Sequence, residues 1–416
     1  MRGCNSVLRP RFFCGPGIPL SWKCNRLVAP LQNLFQTFAV GKTRFSVMKH
    51  PLLTLLLFSG LLLSESTAAT TASDAVPDTL RTAPALPARG PADTQTRDSD
   101  PTFTVQLHGT VRAKFEYQPE IDQGRFEVRN ARFSLSGSVT RAVDYKAEID
   151  LSDEGSIKML DAYARLNLLD RRVRFTIGQM RVPFTIDAHR SPHEQYFANR
   201  SFIAKQAGNV RDVGATVGWR FGKRVPVTLE GGLFNGSGLT DQKDFWTGTF
   251  NYSAKVQVEF AERVNLTTGI QKTHPDRVDI RMYDAGLFYE DRFWHVEAEY
   301  LRKNYASDAF PGVNVWDAFV CRNLPLRHCR ALRQISLLAR YDYMSDHSTG
   351  IADPATGCLV ADDPERHRVT GGVTFSLGLP FRADVRLNYE AYFYRATAAP
   401  ALSEQDKIVA EFMVRF

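Results

Sequence analysis

The sequence predicts an all-β chain folded as a transmembrane antiparallel β-barrel of about sixteen strands. Three observations predict it: long period-two alternation of apolar and polar residues, tight turns at every second connection, and an apolar, signal-like segment near the start. Helical periodicity is nowhere sustained.

The alternation begins abruptly at Phe103. Phe103, Val105, Leu107, Gly109, Val111, Ala113, Phe115 and Tyr117 are separated by Thr104, Gln106, His108, Thr110, Arg112, Lys114 and Glu116. Such a run far exceeds the usual strand of roughly five or six residues, so one face can meet lipid and the other water. The pattern recurs in Val143, Tyr145, Ala147, Ile149 and Leu151, in Val213, Ala215, Val217, Trp219 and Phe221, and in Tyr252, Ala254, Val256 and Val258. It continues in Trp294, Val296, Ala298 and Tyr300, then Ile335, Leu337, Ala339, Tyr341 and Tyr343, and closes on Ile408, Ala410, Phe412, Val414 and Phe416. Strands are expected near residues 103, 125, 143, 157, 172, 212, 225, 248, 263, 282, 293, 313, 333, 367, 381 and 405. The count is even, as a closed bacterial barrel requires, only if Val313 to Val320 is a strand. Tight turns fall at Arg141 to Ala142, Asp170 to Arg171, Gly222 to Arg224, Ala261 to Glu262, Asp291 to Arg292 and Leu379 to Pro380, with long loops expected between them. A soluble β-sandwich is the rival, but it accounts poorly for strands this long.

Domain organisation follows composition. Residues 1–47 form a basic leader expected to lie upstream of the mature protein, or else a genuine long leader. Residues 48–68 have the parts of a secretory signal peptide: Lys49 and His50, the run PLLTLLLFSGLLL, and Ser66-Thr67-Ala68. Residues 69–101, rich in Thr, Ala, Pro and Asp, read as a disordered linker. The barrel occupies 102–416. The formal charge of +7 lies in the leader and signal, where eight basic residues meet only Glu65; the remainder carries 44 basic and 44 acidic residues. The basic balance therefore gives no support for a nucleic-acid partner.

Residues Pro183 to Val210 separate two strong strands, and a loop of nearly thirty residues in a barrel is usually functional or disordered. It and its flanks hold Arg181, His189, Arg190, His193, Arg200, Lys205 and Arg211 against Asp187, Glu194 and Asp212. Folded inward it becomes a constriction loop that places cations in the path of ions; left outside it carries solvated charges. The inward positions of the strands are mixed in sign, with Arg112 and Lys114 beside Glu116, and Arg382 and Arg386 beside Asp384 and Glu390. That balance argues for weak anion preference or a general pore. Cys321 and Cys329 are spaced for a short-loop disulfide in an oxidising compartment, or stand as free thiols. No Cys/His spacing suggests a metal and no motif suggests a cofactor. His108 and His295 are the candidates for a barrel hydrolase, with no GxSxG motif to support it.

The segments RNARFSLSG (129–137), VDYKAEIDL (143–151), LDAYARL (160–166), IGQMRVPF (177–184), NRS (199–201) and RDVGATVG (211–218) resemble the phosphate-selective porin O and P family of Gram-negative outer membranes. The resemblance spans roughly 103–260, and its most specific parts, GQMRVPF and RDVG, bracket the long loop. It implies a sixteen-stranded outer-membrane porin, expected as a homotrimer, passing small anionic solutes such as phosphate. It also implies Phe416 as the aromatic end read by outer-membrane assembly machinery. A structural or adhesive barrel with a plugged lumen is the alternative, and a barrel hydrolase the more remote one.

Overall fold

The computed structural model describes residues 103–207, 211–240, 242–275, 278–327, 329–395 and 401–416. The leader, the signal-like segment and the linker lie outside them.

Among the described residues sixteen antiparallel strands follow in chain order. They are β1 Gln106–Gln118, β2 Gln123–Ser138, β3 Val143–Asp153, β4 Ser156–Leu168, β5 Val173–Arg181, β6 Arg211–Phe221, β7 Val227–Phe234 and β8 Asn251–Phe260. Then come β9 Val264–Thr273, β10 Ile280–Glu290, β11 Trp294–Tyr305, β12 Val313–Pro325, β13 Leu332–Met344, β14 Arg366–Leu377, β15 Arg382–Tyr394 and β16 Lys407–Arg415. Each strand pairs with its chain neighbours, and β1 pairs β16, so the sheet closes on itself with no free edge. Val313 to Val320, on which an even count depended, lies within β12.

Burial is inverted relative to a soluble domain. Arg112, Arg366, Arg368 and Arg386 are each 1% exposed, whereas Phe126 is 87% and Ile157 71% exposed. Alternation dictates this: one parity of every strand faces inward, the other outward, and the outward set is apolar. A lipid-facing exterior around a polar interior satisfies both.

The barrel closes at the C-terminus through the start of β1. The Phe416 amide donates to the Gly109 carbonyl at 3.1 Å and the Gly109 amide to the Phe416 carbonyl at 2.8 Å. The Phe416 ring lies 2.3 Å from where a Cβ on residue 109 would sit, so any side chain there would have to displace the ring.

The six expected tight turns lie at one end, the end that also carries the beginning of β1 and the close of β16. At Ala261 and Glu262 the backbone adopts φ of 50° and 61°, the left-handed geometry that two-residue hairpins demand even without glycine. The opposite end is less uniform than expected. There the β1–β2 and β3–β4 connections are as short as the turns, and the long loops are confined to later connections, such as 182–210, 235–250 and 345–365.

Of the two readings left open for Cys321 and Cys329, the structure has the free thiols. Cys321 faces inward from β12, 1% exposed, and its thiol approaches the Asn323 side-chain oxygen at 3.4 Å. Cys329 is exposed in the connection that follows the strand, and both are free. Strand parity buries the first thiol in the interior while the turn carries the second to the surface.

Candidate functional site

The connection between β5 and β6 is the segment whose contacts organise the interior. It contains a 3-10 turn at Asp187–His189 and a short π-helical turn at Ile203–Ala207. Its polar partners come from the inner face of many strands. Lys255 on β8 donates to the Thr185 carbonyl at 2.6 Å. Glu299 on β11 accepts from the backbone amides of Ile186 and Asp187, which lie at the start of the 3-10 turn. Arg190 forms a two-pronged pair with Glu297 of β11, the geometry in which a guanidinium binds a carboxylate best.

Further along, the Ala198 amide donates to Asn388 of β15 at 2.9 Å, and Asn199 donates to Glu390 at 3.0 Å. The Phe202 amide reaches Asp342 of β13 at 3.3 Å. Arg112 of β1 donates to the Ala198 carbonyl at 2.6 Å, and Arg368 of β14 to the Arg200 carbonyl at 2.7 Å. Apolar contacts join these bonds. Phe184, Phe202 and Ile203 pack with Met282, Leu301, Val313, Val315 and Met344, and the Arg366 and Arg368 guanidinium groups lie over the Phe202 ring at 4.8 and 4.5 Å. Within the segment, Ser201 donates through both its amide and its hydroxyl to Asp187 at 3.1 and 2.7 Å. Burial would raise the Asp187 carboxyl, but Arg190 and this hydroxyl hold it below its ordinary range.

The wall formed by β2–β4 and the start of β6 behaves differently. Arg132 pairs with Asp150 at 2.8 Å, Lys146 with Asp161 at 2.7 Å, and Arg211 with the other oxygen of Asp161 at 2.7 Å. These are strand-to-strand pairs that involve nothing from residues 182–207.

Of the cations expected to matter, most prove to be neutralised. Arg112 pairs with Glu411 at 2.5 Å, Lys114 with Glu116 at 2.7 Å, Arg190 with Glu297, Lys205 with Glu404, and Arg211 with Asp161. Two differ. Arg181 donates through Nη1 to the His189 carbonyl while its Nη2 is buried without a partner. The Arg200 side chain has no ion pair or hydrogen bond among the described residues; it lines a small recess with Arg190, Arg340, Asp187 and Asp317. His193 is no cation at neutral pH: burial, with the charges of Arg415 and Arg382, pushes its imidazole down to about 3. Burial likewise holds His189 well below the ordinary imidazole range.

His108 has no hydrogen bond to a nucleophile among the described residues, and His295, set directly across the β11–β12 pair from the inward-facing Cys321, has none to that thiol, which bonds Asn323. His295 packs in a three-ring cluster with Tyr196 and Phe319, with centroids at 4.5 and 5.2 Å, and bonds Glu297 at 3.0 Å. The sequence reading missed Arg340, Arg368, Asp342, Glu297 and Glu299. Parity could have found them: if Ala339, Tyr341 and Tyr343 face outward, Arg340 and Asp342 must face inward.

Residues 103–262 match the model of the family described as phosphate-selective porin O and P. No curated protein matches the chain. Among solved structures, the chain is similar to the outer-membrane channel DcaP of Acinetobacter baumannii, with TM-score 0.53, 13% identity, and 76% of this chain and 97% of that one covered. It is similar to the anion-selective porin from Comamonas acidovorans, with TM-score 0.53, 10% identity, and 75% and 99% covered. It is also similar to the trimer form of OmpT, an outer-membrane protein of Vibrio cholerae, with TM-score 0.52, 11% identity, and 76% and 99% covered. At these identities the likeness is one of fold. Over residues 103–262 the chain is thus similar to the phosphate-selective porin O and P family, and its closed sixteen-stranded barrel is the fold it shares with these porins and channels.

Proposed function

We propose that this porin passes small hydrophilic solutes with a preference for anions such as phosphate, and that residues 183–207 lie folded in the lumen as its constriction. The observation that carries the reading is Arg200, a segment cation with no carboxylate partner among the described residues on a segment whose Arg190 and Lys205 are both ion-paired. Bonds from the segment to β1, β8, β11, β13, β14 and β15 support an inward position, since only the interior lies within reach of all six strands. The field of a cation held outside any ion pair, bounded by low-dielectric walls, favours entry of the opposite sign.

The chain acts as a channel and not as an enzyme in this reading, needs no cofactor, and reaches the outer membrane through the signal peptide at 48–68. Phe416 serves as the aromatic end for assembly. Three copies associate. In support, outward aromatics near the loop end, including Tyr117, Phe126, Tyr252, Tyr283, Trp316 and Tyr343, are interrupted over β3–β7, where those positions hold Ile149, Ile157, Ile177, Val213 and Leu233. Aromatic girdles mark lipid interfaces, so an interrupted stretch suits contact with other copies. Single-channel conductance with chloride replaced by phosphate tests the function. Anion-selective current is expected, and a barrel without conductance would leave the plugged, adhesive alternative.

A further inference from the structure

On the outer face, at the loop end of β9–β11, three cations stand together. Strand parity turns Lys272, Arg281 and Arg302 outward, beside Tyr283 and Tyr300. Register sets Arg281 directly opposite Lys272, and Tyr283 opposite Arg302. Like charges directly opposed across a sheet repel, so the arrangement is unfavourable unless an anion bridges them.

Two of the three have no carboxylate partner among the described residues. Arg281 is exposed and has no ion pair or hydrogen bond among the described residues. Arg302 is held by two neutral amides: its Nε donates to Asn304 Oδ1 and its Nη1 to Asn314 Oδ1, both at 2.9 Å. The Tyr300 hydroxyl donates to the same Asn314 oxygen at 2.8 Å, fixing the guanidinium beside the aromatic ring. Lys272 meets one carboxylate, Asp279 at 3.1 Å, which His274 shares at 2.6 Å. Outward positions at the loop end of other strands are uncharged, as at Tyr117, Phe126, Leu151, Ile157, Tyr343 and Phe393.

In bacterial barrels the short turns are periplasmic and the longer loops external, so this patch sits at the level of the outer-leaflet headgroups. We propose that Lys272, Arg281 and Arg302 form a binding site for the phosphorylated headgroup of an outer-leaflet glycolipid. Fixed guanidinium groups suit phosphate oxygens, and the tyrosines suit the sugar and interface above the acyl chains. The inference rests on the outer-membrane porin reading.

The test uses the full chain expressed in a Gram-negative host, purified from outer membranes and examined by native mass spectrometry. The probes are bisphosphorylated lipid A, its dephosphorylated form and inorganic phosphate. The wild-type barrel is expected to retain the bisphosphorylated lipid at least tenfold better than the dephosphorylated one. Combining Arg281→Gln with Arg302→Gln should weaken it about twenty-five-fold, roughly fivefold for each charge lost near an anionic surface. Arg281→Lys should retain most binding, and heat-modifiable migration reports that each variant is a closed barrel. Equal retention of the two lipids, or an unaltered affinity in the double variant, overturns the proposal. Displacement of the lipid by millimolar inorganic phosphate overturns the lipid as ligand. Conductance is read on the same samples: its absence in the wild type sinks the porin reading, whereas its alteration in the double variant overturns a site confined to the outer face.

Discussion

On the wall that runs from β8 round to β1, inward charges meet both one another and the 182–207 segment; on the wall from β2 to β4 they meet one another and Arg211. Glu297, Glu299, Asp342 and Glu390 bind backbone amides or side chains of the segment, whereas Asp150, Glu148 and Asp161 are taken up by Arg132, Lys146 and Arg211. The inward residues are of the same kinds on both walls. What differs is whether a partner arrives from a neighbouring strand or from residues far away in sequence, and only the second arrangement can fix a loop. The comparison also separates charge that holds the structure from charge left for solutes.

Breaking the anchor should have the largest effect. Glu297 is fully buried and Arg190 is its guanidinium partner, so Arg190→Ala leaves an interior carboxylate with only His295 beside it, at a cost of about 3–5 kcal/mol. The segment is expected to detach from β11, read as new protease cleavage between residues 183 and 207 and as larger, noisier single-channel current. Unchanged cleavage and current would mean that the pair does not hold the segment.

Reversing the uncompensated charge comes next. Arg200→Glu should leave the segment in place but shift the anion-to-cation permeability ratio several-fold toward cations, because one charge at close range in water is worth about 1 kcal/mol. Reversal potentials under a salt gradient measure it. Lys205→Gln, which removes one half of an ion pair, is expected to shift the ratio less. If the two variants shift it equally, pairing does not decide which cations act on solutes.

Acid should loosen the anchored wall more gently. His193 is neutral in the folded segment down to about 3 and would take up a proton near 6.5 once released. Between those values the released form binds more protons, so docking is complete above about 6.5 and weakens as pH falls toward 3. Protease sensitivity of the segment should therefore rise across that window, and less steeply in His193→Gln. The smallest effect belongs to Cys321→Ser: with no disulfide to lose, migration with and without reductant should be the same as in the wild type.

Much of the barrel was legible because alternation is a local property. The parity of Val143 to Leu151, or of Ile335 to Tyr343, can be read along the chain, and a closed sheet makes all strands obey it. The charged segment at 183–210 was legible as well, by its length and its arginines. Its partners were not, since Arg190 and Glu297 are 107 residues apart and Arg112 and Glu411 are 299 apart. Nothing local marks such a pair.

The sequence by itself determined an all-β chain, its strand count, and which face of each strand is apolar, because period and turn chemistry are short-range. Only the tertiary structure decided that the two thiols stay apart, that the β1–β2 and β3–β4 loops are short and paired with an otherwise long-looped end, and which cations are neutralised. Those outcomes depend on the register of closure, which brings distant strands together, and ion pairing depends on distances of a few ångströms that register alone sets.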